Sequence, residues 1–306
     1  MIDGEPAPDA AVADAWDEIA PFVDIVDAEL ASRDDAPLTF FEILTVLAFV
    51  VAADAPVDVL VLEVGMGGAW DSTNTADGDV AVFAPIDIDH ADRLGDTIAE
   101  IATVKSGIIK DGAAVVSSRQ PAEAERVLRA AAAAKGATIA FEGEGFALVD
   151  QRLAVGGQQI SVRGLAGTYD EEYLPLYGAH QGRNAALAIA AVESLIGGGS
   201  RSIATDVLSE ALGQVTSPGR LQLVGAAPTV LVDAAHNPHG ARALVSALRE
   251  SFDFDEWGIV LGILADKDAA GIVAELATVA AHVFATAPDS ERANDADTIA
   301  DLVEAA

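Results

Sequence analysis

The stretch from Val57 to Val64 is apolar except for Asp58 and Glu63, and it runs straight into Gly65-Met66-Gly67-Gly68 and then Asp71-Ser72-Thr73-Asn74. An apolar run that ends in a carboxylate and glycines reads as a buried parallel strand with a polar site at its C-terminal tip. In open α/β sheets, ligands bind at such tips. A second polar tip follows at Asp87-Ile88-Asp89-His90, and then Lys105. Glu63, His90 and Lys105 are therefore expected to share one site.

The flanking segments supply the rest of such a fold. Residues 9–31 carry Trp16, Ile19, Phe22, Val23 and Val26 at helical spacing. Thr39 to Ala53 reads as a largely buried helix, with Thr39 as cap and Glu42 three residues on. Strands are expected at Asp79–Ala84, Ala113–Ser117 and Ala137–Phe141, with helices at Asp92–Thr103 and Pro121–Ala134 between them. This alternation predicts an α/β fold with a parallel sheet. From Gly145 to Arg163 the period drops to two around Val155-Gly156-Gly157-Gln158, a β-hairpin signal. Helices follow at Tyr177–Leu195 and Ser202–Leu212. Thr216-Ser217-Pro218-Gly219 marks the expected boundary between domains 1–217 and 218–306. After it the alternation restarts, with strands near Leu221, Val230, Ile259 and Val283 and helices near Ala241–Arg249, Ala269–Leu276 and Asp297–Ala305.

Of the 306 residues 51% are apolar, which excludes global disorder. Net charge is -32, and the only lysines are Lys105, Lys110, Lys135 and Lys267. So acidic a surface suggests a protein adapted to high salt, where multimolar salt shortens screening to roughly 3 Å; an acidic protein of ordinary habitat is the alternative. Nucleic acid needs a basic face, and none is visible. No cysteine is present, so disulfides and thiol metal sites are excluded. The start shows no signal-peptide pattern. The longest apolar run, Ile43 to Ala53 apart from Thr45, falls short of the ~20 residues that span a bilayer. The expectation is a cytoplasmic protein with no membrane and no nucleic-acid partner.

Glu63 is a hard oxygen ligand suited to Mg²⁺, or else a strand-end residue capping a neighbouring helix. His90 could complete a metal site or hold a phosphate, or be structural. In the second half, Ser217-Pro218-Gly219-Arg220 places an arginine at the hinge. Asp233, His236 and Asn237 follow an apolar strand, and Pro238 suits a helix start. Asp266-Lys267-Asp268 ends another strand. Each could be only a polar loop, but three charged strand tips point to a ligand edge.

Taken in order, these clusters resemble the folylpolyglutamate synthases, the folate branch of the Mur ligase family. The likeness is carried by Leu38-Thr39-Phe40-Phe41-Glu42, Leu62-Glu63-Val64-Gly65-Met66-Gly67-Gly68, Asp71-Ser72-Thr73-Asn74 and Asp89-His90. It continues through Leu94-Gly95-Asp96-Thr97, Lys105-Ser106-Gly107-Ile108, His180-Gln181 with Asn184, Pro218-Gly219-Arg220, Asp233 with His236-Asn237-Pro238, and Asp266-Lys267-Asp268. The resemblance implies a P-loop-type ATPase domain with a β-hairpin insertion, followed by a Rossmann-like C-terminal domain. It implies a ligase that uses ATP and Mg²⁺ to join L-glutamate to folate, folyl-glutamate or dihydropteroate through an acyl phosphate. Carried over by position, Glu63 and His90 would be metal ligands and Lys105 a lysine that the family often carbamylates. Asn184 and Arg220 would lie along the nucleotide, Asp233 at the ribose, and His236 at the phosphates or the incoming glutamate. A related ligase acting on a different carboxylate, such as a cell-wall precursor, shares much of this pattern.

The chain departs from that family at its start. No G-x-x-x-x-G-K-[ST] motif occurs in it, and the family's P-loop and its strand would precede residue 1. Without that strand, residues 57–64 would lack a neighbour and expose unpaired backbone. The expectation is a fragment or a misplaced start, with little or no ligase activity in the 306 residues alone. The alternative is a non-catalytic remnant that binds nucleotide or a partner.

Overall fold

A computed structural model describes residues 1–89 and 91–306. His90 therefore lies outside the described residues.

Helices α1 (Asp9–Ser32) and α2 (Phe40–Asp54) open the chain and pack on each other. α2 begins where its capping signal predicts: the Thr39 hydroxyl accepts from Glu42 N–H, and the Glu42 carboxylate accepts from Thr39 N–H at 2.8 Å. The expected burial of the helix over 39–53 does not hold, and α1 is also largely exposed. Only Ala15 and Ile19 of α1 and Thr45 of α2 are buried, while Phe22 and Phe40 are exposed. The segment 57–64 is also not a strand, and Val61 is 90% exposed. Its composition matches a buried strand, but a strand exists only through ladder partners, and among the described residues it has none.

After a 3₁₀ turn (Ser72–Thr75), the parallel sheet forms from β1 (Val80–Phe83), β2 (Ala114–Ser117) and β3 (Thr138–Phe141), in that order. The single helix expected over 92–103 is two, α3 (Ala91–Leu94) and α4 (Ile98–Ser106). Gly95, at φ +114°, breaks the helix, and Thr97 with Glu100 starts the next through a second capping box. Helices α4 and α5 (Ala122–Ala134) cover one face of the sheet, where Ile101, Leu128 and Val115 share a core with Phe83. Helix α6 (Ala179–Gly197) covers the other, with Val116 packed among Ala186, Ile189 and Ala190.

An antiparallel sheet of β4 (Ala147–Ala154), β5 (Gly157–Arg163) and β6 (Thr168–Leu174) extends the same core onto α6 and α7 (Thr205–Gly213). The hairpin β4–β5 is the expected one. β6 was not legible because Asp170-Glu171-Glu172 interrupts any apolar alternation; Glu171 adopts φ +58° and the β5–β6 register shifts near it.

Past Pro218 come an antiparallel hairpin, β7 (Gln222–Ala226) with β8 (Thr229–Val232), and a parallel pair, β9 (Trp257–Leu261) with β10 (Ala280–Ala285). Helices α8 (Pro238–Ser251), α9 (Ala269–Leu276) and α10 (Ala296–Ala305) supply its core around Ala241, Ile272 and Ile299. Among the described residues no helix is long and apolar enough to cross a membrane.

Candidate functional site

The glycine loop after residue 64 closes on its own protein. A Cβ on Gly68 would lie 2.8 Å from the Lys105 carbonyl oxygen and 2.9 Å from that of Val104. Ala69 N–H donates to Val104 O at 2.9 Å. Asp71 seals the loop: its carboxylate accepts from Met66 N–H at 2.9 Å, Thr73 N–H at 3.0 Å and the Thr73 hydroxyl at 2.6 Å. Burial alone would raise the Asp71 pKa, but these hydrogen bonds reverse the sign and hold it below the usual carboxylate value. Asn74 donates to Ala69 O and Gly107 O, and Lys110 reaches Asn74 O at 2.7 Å. The Asp71-Ser72-Thr73-Asn74 cluster thus staples the loop to the C-terminal end of α4 and fixes where half-buried Lys105 sits.

A second assembly gathers where α6 begins. Burial is the main cause that lowers the pKa of His180; Asp233 pulls it up, Arg220 and Arg183 push it down, and Glu250 pulls it up. These four charges therefore act on one imidazole. His180 and Asn184 are four residues apart on α6 and share a face; Asn184 is exposed and donates to Gln181 at 3.2 Å. Arg220 is exposed beside Leu221, whose backbone sits at φ +48°. Asp233 holds both of its neighbours in place, accepting from Leu221 N–H at 2.7 Å and Ala235 N–H at 2.8 Å. His236 is exposed, with Nδ1 3.1 Å from Ala234 O. A cavity of about 270 Å³ lies next to this cluster, between Gln151 and Gln158 on one side and Glu250 and Ser251 on the other. His180 and Arg183 are the additions that residue-by-residue reading did not assign to the site; the His180-Gln181-x-x-Asn184 spacing was the available signal.

The other strand tips have structural employment. Asn237 caps α8 through Gly240 N–H at 2.8 Å, with Pro238 as its first residue. Asp268 caps α9, and Asp266 pairs with Arg292 at 2.8 Å and Lys267 at 3.7 Å.

Of the two expected metal ligands, His90 lies outside the described residues, and only Glu63 can be placed. Glu63 is exposed on a segment that is not a strand, so it marks no sheet edge. No three metal-ligating side chains converge among the described residues. One carboxylate does not make a divalent-cation site, although Mg²⁺ commonly completes its shell with water and phosphate oxygens.

Residues 12–192 match the Mur ligase middle domain, and residues 219–306 match the Mur ligase glutamate ligase domain. The chain is 44% identical over 309 residues to a dihydrofolate synthase/folylpolyglutamate synthase of Mycobacterium tuberculosis, covering 98% of this chain and 63% of that protein. It is 32% identical to a folylpolyglutamate synthase of Lacticaseibacillus casei, covering 93% of this chain and 65% of the relative. The chain therefore spans somewhat under two thirds of the length of these relatives. A solved Mycobacterium tuberculosis folylpolyglutamate synthase complexed with ADP superposes with a TM-score of 0.92 at 42% identity, over 100% of this chain and 68% of that one. With these matches over nearly its whole length, the chain belongs to the Mur ligase family, in its folylpolyglutamate synthase branch.

Proposed function

We propose that the chain carries the nucleotide-handling and glutamate-joining parts of an ATP-dependent ligase that extends folate, folyl-glutamate or dihydropteroate with L-glutamate. The observation that carries this reading is the match of residues 12–192 and 219–306 to the Mur ligase middle and glutamate ligase domains, in a chain whose relative binds ADP and whose Asp233 anchors the backbone next to Arg220. In this reading the domains divide at 217/218, between the two matched family segments. ATP phosphorylates the terminal carboxylate of the acceptor, and the glutamate amine displaces phosphate to leave an amide. Arg220 and Asn184 lie along the nucleotide, Asp233 near the ribose, and His236 near the phosphates or the amine. Holding the substrates together lends proximity and shields the acyl phosphate from water. Glu63 and His90 are the proposed ligands for Mg²⁺, which would neutralise phosphate charge when bound; Lys105 joins them in this reading as a candidate for carbamylation. The acidic composition suits a cytoplasmic protein of a high-salt cell.

The 306 residues alone are proposed to turn over little, because no P-loop motif is among them and residues 57–64 lie unpaired and exposed. These same observations favour the second reading, a remnant that binds nucleotide or a partner without catalysis. ATP- and glutamate-dependent elongation of a folate separates the two, assayed for this chain and for a longer form that includes any in-frame upstream codons. Elongation by the longer form alone supports the ligase; its absence from both, with ATP still bound, supports the remnant. Undiminished turnover in Glu63→Ala or His90→Ala overturns the metal assignment.

A further inference from the structure

Among the described residues, contacts of two kinds tie residues 218–306 to the rest of the chain. One is apolar: Tyr177, just before α6, packs with Leu221, Leu248 and Phe252, its ring centroid 4.9 Å from that of Phe252. The other is polar and lies beyond the end of β1. Asp87 Oδ2 faces His239 Nδ1 at 3.1 Å, and Asn237 Nδ2 donates to Asp89 Oδ2 at 3.1 Å.

We propose that Asp87 and His239 are positioning residues whose pairing latches the start of α8, and with it the His236 loop, against the tip of β1. Apolar contact at Tyr177 is non-directional and tolerates rotation. A hydrogen-bonded pair is directional and selects one angle. His239 is the second residue of α8, where the helix dipole disfavours a cation and favours an anion. Asp87 pairs with the ring at that helix end, so the pair works across the boundary rather than within either part. Asn237 adds a second directional contact through Nδ2 to Asp89, while its side-chain oxygen caps α8. The pair is 152 residues apart in sequence, and nothing local requires it. This proposal concerns how two parts of the chain sit and does not depend on the ligase reading.

The absence of cysteine makes the test direct. Spin labels placed through Arg126→Cys and Asp289→Cys, both exposed positions, report the distance between the two parts by pulsed electron resonance. The labelled parent should give one major distance with a minor displaced population. Asp87→Ala or His239→Ala should raise the displaced population and shift the ratio of displaced to latched molecules by about threefold, the scale of an exposed hydrogen-bonded pair. The swapped double variant, Asp87→His with His239→Asp, should restore the parent distribution. Single variants that keep the parent distribution, or a swap that stays as broad as the singles, overturn the latch.

Discussion

Asp233 Oδ2 accepts the backbone N–H of Leu221 at 2.7 Å, twelve residues back along the chain. Leu221 is buried and sits at φ +48°, a region that costs a leucine energy unless its surroundings enforce it. The Asp233 carboxylate supplies that enforcement and so sets the direction of the preceding Arg220. Replacing Asp233 by Ala should cost about 1–3 kcal/mol, the scale of leaving half-buried donors unmatched. Nucleotide affinity should fall with it, because Arg220 loses its fixed backbone. Urea denaturation and calorimetric titration with ATP measure the two effects; a stable variant with unchanged affinity would remove Asp233 from the site.

Asp71 predicts an acid limb. Its pKa lies below the ordinary value in the fold, so its contribution is complete above the unfolded value of 3.8 and is lost as pH falls through the lowered folded value. Asp71→Asn should destabilise the protein at pH 7 by about 1–3 kcal/mol, and should show a smaller loss of stability on acidification below pH 4 than the parent. Chemical denaturation at pH 7 and in steps below pH 4 gives the comparison.

His180 acts in a higher window. Its pKa is lowered, first by burial, from the ordinary value of 6.5. The unfolded chain therefore takes up this proton first as pH falls. The contribution of neutral His180 is full above pH 6.5 and is lost as pH falls through the folded value. His180→Gln should flatten the stability profile below pH 6.5, which unfolding curves across that range would reveal. A parent profile already flat there would contradict the placement of the ring.

Glu193 on α6 is fully buried and accepts from the backbone N–H groups of Leu165, Ala166 and Gly167 and from the Tyr169 hydroxyl at 2.7 Å. Burial first, and then this carboxylate, push the Tyr169 phenol up to about 12. Glu193→Gln turns one acceptor into a donor facing donors, and should cost about 3 kcal/mol or more. Tyr169→Phe should cost less, since the three backbone donors keep their partner. Thermal unfolding of the two variants orders them.

Much of this molecule could be read locally. The capping box at Thr39, the start of α8 at Pro238 and the β4–β5 hairpin depend on residues within a few positions of one another. The βα alternation likewise gave the parallel core of β1, β2 and β3, because burial on both faces imprints an apolar run on each strand. The ordered motifs carried the family likeness for the same reason: each is a short string.

Placement across the chain is another matter. Composition marks residues 57–64 as able to be a buried strand, yet only a ladder partner makes one, and that is a property of the assembled sheet. Gly65 to Gly68 could have approached a ligand or a helix; the fold places Gly68 against the α4 carbonyls. Neither the charges around His180 nor the pairing of Asp87 with His239 leaves a pattern in the string, because residues so far apart meet only when the core has packed. Local periodicity records which face wants burial, while the tertiary structure alone decides what buries it.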